Sequence, residues 1–257
     1  MAWPGNKNPN YQKNGSLVRM RNELTAIAKA ISEFVPVILL VSRDQVPDAQ
    51  QRFQEKSHHA VEIKAMDSGS LEPWMRDIAP TFVFSENPYS DLHWVDFNFN
   101  GWGGQYPSAD NSQLAARFLQ DSQIPRVNSI LNPNRNLHMS RDAIERELHR
   151  VLNVSKIIWV PGVRDQDVTD AHIDAPGKVV LSRPAPGSGV WTKVYDETKH
   201  ILSRVTDAKG QRLKITELPE ADVNDFDTSK TDMVLGYVNY LHCEGRCFLA
   251  KDVVRSK

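Results

Sequence analysis

Apolar residues at Leu17, Met20, Leu24, Ile27, Ile31 and Phe34 recur at spacings of 3, 4, 3, 4 and 3. This period predicts a helix from Ser16 to Phe34 with one apolar face and Ser16 as its N-cap. Directly after it, Val37–Val41 is a continuous apolar run of strand length and reads as a buried strand. The same succession recurs twice. A helix from Ser140 carrying Ile144, Leu148, Val151 and Leu152 precedes the run Ile157–Val160, and a helix over Trp191–Val205 precedes Leu213–Leu218. Shorter strands are predicted at Ala60–Lys64, Thr81–Phe84, Trp94–Asn98 and Lys178–Ser182, with helices around Asn111–Leu119 and after Pro47. A helix leading repeatedly into a strand indicates an α/β or α+β chain built on a repeated unit. The paired short strands near its start argue against both a strict doubly wound sheet and a barrel.

Composition narrows the function classes. At 257 residues the chain is large enough for a sizeable core. No linker-like stretch divides it, so 1–257 is read as a single domain. The Asn/Pro-rich stretches Asn6–Asn14 and Asn132–Asn136 read as an entry segment and a loop. With 31 basic and 32 acidic residues, net charge −1, there is no overall electrostatic footprint for nucleic acid or an anionic membrane. The longest apolar run, Phe34–Val41, is broken by Pro36 and falls far short of the ~18–20 residues that span a bilayer. The first residues carry no apolar stretch of the secretory kind, which sets a cytoplasmic expectation. Cys243 and Cys247 are too few for a disulfide scaffold or a structural zinc quartet.

Three segments hold residue types suited to chemistry. Glu72-Pro-Trp-Met-Arg-Asp77 packs two acids, a cation and an indole between two predicted strands. A surface loop with an Arg–Asp pair is the plainer reading of that segment alone. Asp96-Phe-Asn-Phe-Asn-Gly-Trp-Gly-Gly104 alternates polar and aromatic residues. Extended, it would send Asp96, Asn98 and Asn100 to one face and Phe97 and Phe99 to the other, before glycines that allow close backbone approach. Its glycines match neither G-x-G-x-x-G nor a phosphate loop ending in Lys-Ser/Thr. In Asp170-Ala-His-Ile-Asp174 an extended backbone would place His172 between two carboxylates on one face. Acid–base chemistry, a D-x-H-x-D metal site and a lone exposed histidine all fit that spacing.

Taken in order, these segments resemble the agmatine deiminase family, which is related to the microbial peptidyl-arginine deiminases. The matching stretches are Met1-Ala-Trp-Pro4, Glu72–Pro80, Asp96–Gly104, Leu131-Asn-Pro-Asn-Arg-Asn136 and Asp170–Asp174. The resemblance implies a pentein fold, an α/β propeller of ββαβ-type blades about a pseudo-fivefold axis. It implies hydrolysis of agmatine to N-carbamoylputrescine and ammonia in putrescine biosynthesis, with no cofactor or metal. By the same resemblance Asp77 and Asp174 are guanidinium-binding acids, Trp74 is a pocket wall and His172 is the general acid/base. Asn239 stands at a further polar position, and assembly into a homo-oligomer is left open.

The match departs from the family at three places. The family's nucleophile lies in a Gly-Gly-Gly-x-His-Cys context near the C-terminus, whereas His242-Cys243 follows Asn-Tyr-Leu and arrives one blade early, so the nucleophile is not carried over to Cys243. A strand-bearing segment is missing between Ile130 and Leu131, and several residues are missing after Asp174. With 241–257 read as a tail foreign to the family, the expectation is an incomplete pentein with exposed strand edges and impaired turnover. The alternatives are a catalytically dead fragment that binds guanidinium compounds or a partner, a peptidyl-arginine deiminase-like activity, and, last, a metal-dependent hydrolase on Asp170, His172 and Asp174.

Overall fold

The computed structural model describes residues 1–8, 11, 15–55, 57–85, 91–104, 109–131, 136, 138–163, 178–220, 240–243 and 246–249. The chain divides into two compact units, Met1–Val154 and Ser155–Lys257.

In the first unit, α1 (Ser16–Ser32) runs into β1 (Val37–Ser42), as the apolar period predicts. The cap differs from expectation. Gly15, at φ 68°, turns the chain into the helix and Ser16 is already inside it, because a left-handed entry costs a glycine nothing. The helix stops before Pro36, which disfavours helical backbone at the residue ahead of it. Its buried face runs through Arg21, Leu24, Ala28 and Ile31, so a cation sits within the apolar stripe. β1 is apolar on both faces for a packing reason. Leu39 and Val41 join Trp3, Leu24 and Ala49 in one cluster, while Leu40 joins Ala2, Met66, Leu71, Ile78, Phe99, Trp102 and Leu114 in another.

The helix α2 (Val46–Arg52), with Pro47 in its first turn, carries the chain to β2 (Val61–Met66), which pairs parallel to β1. A one-turn helix α3 (Met75–Ile78) precedes β3 (Thr81–Phe84), antiparallel to β4 (Leu92–Asp96). After the tight turn α4 (Gly101–Gly104) come α5 (Ala109–Ser112) and α6 (Leu114–Leu119), then β5 (Arg126–Asn128), parallel to β4. The single helix expected over Asn111–Leu119 is therefore two, separated where Gln113 leaves helical backbone at φ −105°, ψ 1°. The unit closes with α7 (Arg141–Leu152), whose N-cap Ser140 accepts a hydrogen bond from the Ala143 amide at 3.2 Å.

In the second unit β6 (Lys178–Arg183), α8 (Val190–Arg204) and β7 (Lys214–Pro219) form another strand–helix–parallel strand unit. Lys199 of α8 lies 2.6 Å from Glu217 of β7, and the Tyr195 hydroxyl donates to the same carboxylate. A hairpin follows, β8 (Tyr240–Cys243) antiparallel to β9 (Arg246–Leu249). Ile157–Val160, expected as a strand, belongs to none. Trp159 within it is 37% exposed.

The recurring unit is thus strand–helix–parallel strand, seen in β1–β2, β4–β5 and β6–β7. Parallel pairing requires a crossover, and a helix supplies it each time.

Candidate active site

The segment leading to Trp74 is held from several sides by buried polar groups. Gly5 and Lys7 donate their amides to the carbonyls of Leu71 and Gly69 at 3.1 and 2.9 Å. Asn8, 1% exposed, donates its side-chain amide to the Leu71 carbonyl at 3.2 Å. Asp110 accepts the amides of Gly69 and Ser70 at 3.2 Å each and the Ser70 hydroxyl at 2.7 Å. Burial pushes the Asp110 carboxyl upward, but hydrogen bonds from Ser70 and Arg117 outweigh it and hold the group below the usual carboxylate range. The Glu72 amide donates to Asn111 Oδ1 at 3.0 Å, and the Glu72 carboxylate, in a residue 4% exposed, accepts the Tyr11 hydroxyl at 2.8 Å. Burial, and next the Glu72 charge, raise the Tyr11 hydroxyl far above its ordinary range, so it stays protonated and donating.

From this clamped base the chain turns at Trp74 (φ −76°, ψ 63°) into α3. Asp77 and Ile78 both donate their amides to the Trp74 carbonyl, at 3.0 and 3.3 Å. Ile78 is buried, Asp77 half-buried, and Trp74 46% exposed. The acid and the indole thus stand on one short turn whose far end is sunk in the core. Met75 and Ile78 pack in the same cluster as Phe99 and Trp102, which brings the first two sequence segments together.

The second segment is not the alternating strand expected. β4 ends at Asp96, and Asn98 takes the left-handed conformation at φ 52°. Its amide donates to Asp96 Oδ1 at 2.9 Å, and its side chain donates to the carbonyls of Ser129 and, at 3.4 Å, Leu131. These local bonds offer the backbone more than a two-residue extension of the strand would. Asp96 is occupied internally, with Arg126 Nη2 2.7 Å from its other oxygen. Trp102 also has positive φ, 53°, and its buried ring meets Phe99 edge to face at 5.0 Å.

Of the other expected site residues, Asp170, His172, Asp174 and Asn239 lie outside the described residues. Cys243 ends β8, opposite Arg246 in the hairpin register. Among the described residues no cluster of three or more His, Cys, Asp or Glu is arranged to hold a metal, and no helix is long and apolar enough to cross a membrane. Sequence reading passed over Asn8, Tyr11, Asp110 and Asn111, which build the base of the site. The only signal was an unusual density of Asn in the entry segment.

The chain matches the Porphyromonas-type peptidyl-arginine deiminase family over residues 1–130 and again over 127–251. It belongs to that family. Agmatine deiminases of Pseudomonas aeruginosa (strain LESB58) and Ectopseudomonas mendocina (strain ymp) are each 30% identical over 262 residues, taking in 85% of this chain and 66% of the relative. The chain therefore spans just under two thirds of the length of these curated relatives. The aligned stretch is longer than this 257-residue chain although it takes in only part of it, so the relatives carry residues within the matched span that have no counterpart here. The two family matches meet at 127–130, beside the Ile130–Leu131 junction.

The fold is that of the solved deiminases. The structure of "Agmatine deiminase of Enterococcus faecalis catalyzing its reaction" superposes with TM-score 0.75 at 23% identity, covering 94% of this chain and 77% of that one. A C. jejuni agmatine deiminase variant with substrate bound gives TM-score 0.77 at 17% identity, covering 98% of this chain and 81% of its own. The architecture is accordingly the α/β pentein.

Proposed function

We propose that this family member binds the guanidinium group of agmatine, with Asp77 and Asp174 gripping its N–H donors, Trp74 walling its face and His172 moving protons. The reading is carried by the turn at Trp74–Asp77, where an exposed indole and an adjacent carboxylate stand on a base locked by Tyr11, Asn8, Asp110 and Asn111. A planar cation with several N–H donors suits a carboxylate and an aromatic face together. The names of the relatives supply agmatine as substrate. The reading extends to putrescine synthesis in the cytoplasm by a single deiminase-type domain.

The deiminase reaction needs a thiolate to attack the guanidinium carbon, ammonia to leave, and water to release the ureido product from sulfur. Cys243 lies in a strand of a hairpin, without the glycine-rich context of the family nucleophile, which favours binding with little or no turnover. Carboxylates that hold the ground-state cation do not by themselves lower the barrier.

The test combines calorimetric titration of agmatine with assay of ammonia and N-carbamoylputrescine, and includes a peptidyl-arginine substrate because the matched family carries that name. Agmatine binds without measurable turnover, and Asp77→Asn weakens it about 10- to 100-fold, the worth of a charge-assisted hydrogen bond. Absence of binding defeats the guanidinium reading. Robust turnover abolished by Cys243→Ser makes Cys243 the nucleophile instead.

A further inference from the structure

Asp110 of α5 and Arg117 of α6 together hold residues 67–70 by their backbone. One carboxylate oxygen of Asp110, Oδ2, accepts three hydrogens, from the amides of Gly69 and Ser70 at 3.2 Å each and from the Ser70 hydroxyl at 2.7 Å. The other, Oδ1, lies 3.1 Å from Arg117 Nη1. That same Nη1 donates to the Asp67 carbonyl at 3.1 Å, while Nη2 donates to Gln113 Oε1 at 2.7 Å, which aims the guanidinium. The result is a closed clamp. Asp110 takes the N–H groups of Gly69 and Ser70, Arg117 takes the carbonyl of Asp67, and the ion pair joins the two. Charge matters here as well as shape. The groups bonded to Asp110 are all donors, and an ionised carboxylate offers acceptors on both of its sides. An asparagine at this position would turn its NH2 either towards the two amides or towards Arg117, donor against donor.

The clamp ends four residues before Trp74. Between them lie Leu71, fully buried, Glu72, whose amide is held by Asn111 at 3.0 Å, and Pro73, whose ring restricts the backbone. The Trp74 carbonyl then accepts the amides of Asp77 and Ile78. A path this short and this constrained carries a displacement at residues 69–70 into the turn that bears the indole and the carboxylate. We propose that Asp110 and Arg117 are positioning residues for the Trp74–Asp77 turn, a charged clamp on the backbone that sets where Asp77 meets a planar cation. The purpose rests on the guanidinium reading, but the clamp itself is tested without ligand. Both residues act through the backbone of residues 67–74 and not by touching the cation.

The measurement is amide hydrogen exchange, read residue by residue by NMR on the 15N-labelled chain. In the wild type the Gly69 and Ser70 amides exchange on the order of 10-fold or more slower than in an unstructured peptide. Asp110→Asn speeds both roughly 10- to 100-fold, the worth of a hydrogen bond to a charged group, and speeds Asp77 and Ile78 several-fold. The amides of Trp3 and Leu40, bonded to the carbonyls of Leu40 and Met1, keep their protection and show that the rest of the first unit is intact. Arg117→Met, which keeps an apolar stem, gives the same pattern at about 3- to 10-fold. Agmatine affinity falls about 10-fold in Asp110→Asn, but by less than about 3-fold when Asp110→Asn is added to Asp77→Asn, whereas a general structural defect costs the same in either background.

Wild-type Gly69 and Ser70 amides that exchange at the unprotected rate overturn the clamp, a result that needs no folded variant. Exchange at Asp77 and Ile78 unmoved by Asp110→Asn, or an equal loss of affinity in the two backgrounds, overturns the positioning role. If the wild type binds no agmatine, the guanidinium reading falls, and exchange at Gly69, Ser70, Asp77 and Ile78 still decides whether the clamp sets the turn.

Discussion

Arg150 grips Glu147 with two parallel bonds, Nε to Oε2 and Nη2 to Oε1, each 2.7 Å long. The same carboxylate accepts the Ile130 amide at 2.9 Å and the Ser129 hydroxyl at 3.1 Å, so α7 is fastened to the stretch that follows β5. The hydrogen bonds from Arg150 first, then from Ile130 and Ser129, outweigh burial and draw the Glu147 carboxyl from 4.5 down to about 2. A carboxyl depressed by folding stabilises the fold above its unfolded value and loses that contribution as pH falls towards its folded value.

The stabilisation from Glu147 is therefore complete above pH 4.5 and is lost between there and about pH 2. Because Arg150 is half exposed, solvent screening reduces it to the order of 1 kcal/mol. Urea unfolding of wild type and Glu147→Gln measures it. The two differ in midpoint at pH 7 and converge towards pH 2. A gap that persists unchanged at low pH would remove Glu147 from the acid sensitivity.

Gly5 lies against the base of the candidate site. A Cβ built there would stand 2.2 Å from the Gly69 carbonyl oxygen and 2.9 Å from the Ser70 nitrogen, both backbone atoms that cannot rotate away. Gly5→Ala is expected to destabilise the first unit by about 2–4 kcal/mol, or to displace residues 69–72 and with them Trp74. Thermal unfolding together with the tryptophan fluorescence of the folded variant distinguishes the two outcomes, and a variant unchanged in both contradicts the close approach.

Asn98 combines a left-handed backbone at φ 52° with side-chain bonds to the carbonyls of Ser129 and Leu131. Asn98→Ala keeps the strained backbone and loses the bonds, for a loss of about 1–3 kcal/mol, whereas Asn98→Gly relieves the backbone and loses less. Equilibrium denaturation of the pair gives the order directly. Alanine as stable as glycine would mean that the left-handed conformation carries no cost.

Much of the architecture was legible from local pattern because its causes are local. The 3–4 spacing along Leu17–Ile31 yields α1, the uninterrupted Val37–Val41 run yields β1, and Ser140 caps α7 as its residue type suggests. The resemblance of Glu72–Pro80 and Asp96–Gly104 to a deiminase family was equally visible, since motifs lie along the chain. Other features depended on partners the chain meets only after folding. The run from Asp96 to Asn100 alternates like a strand yet turns at Asn98 because Asp96, Ser129 and Leu131 offer it hydrogen bonds. The base beneath Trp74 is the clearest case. Asn8, Tyr11, Asp110 and Asn111 are ordinary polar residues in sequence, and what makes them parts of a site is their convergence, buried or half-buried, on residues 69–72, where burial strengthens their hydrogen bonds. Residue type and spacing determined which elements form and which family they resemble; tertiary packing decided which polar groups are buried together, and so which of them can hold an indole and a carboxylate in place.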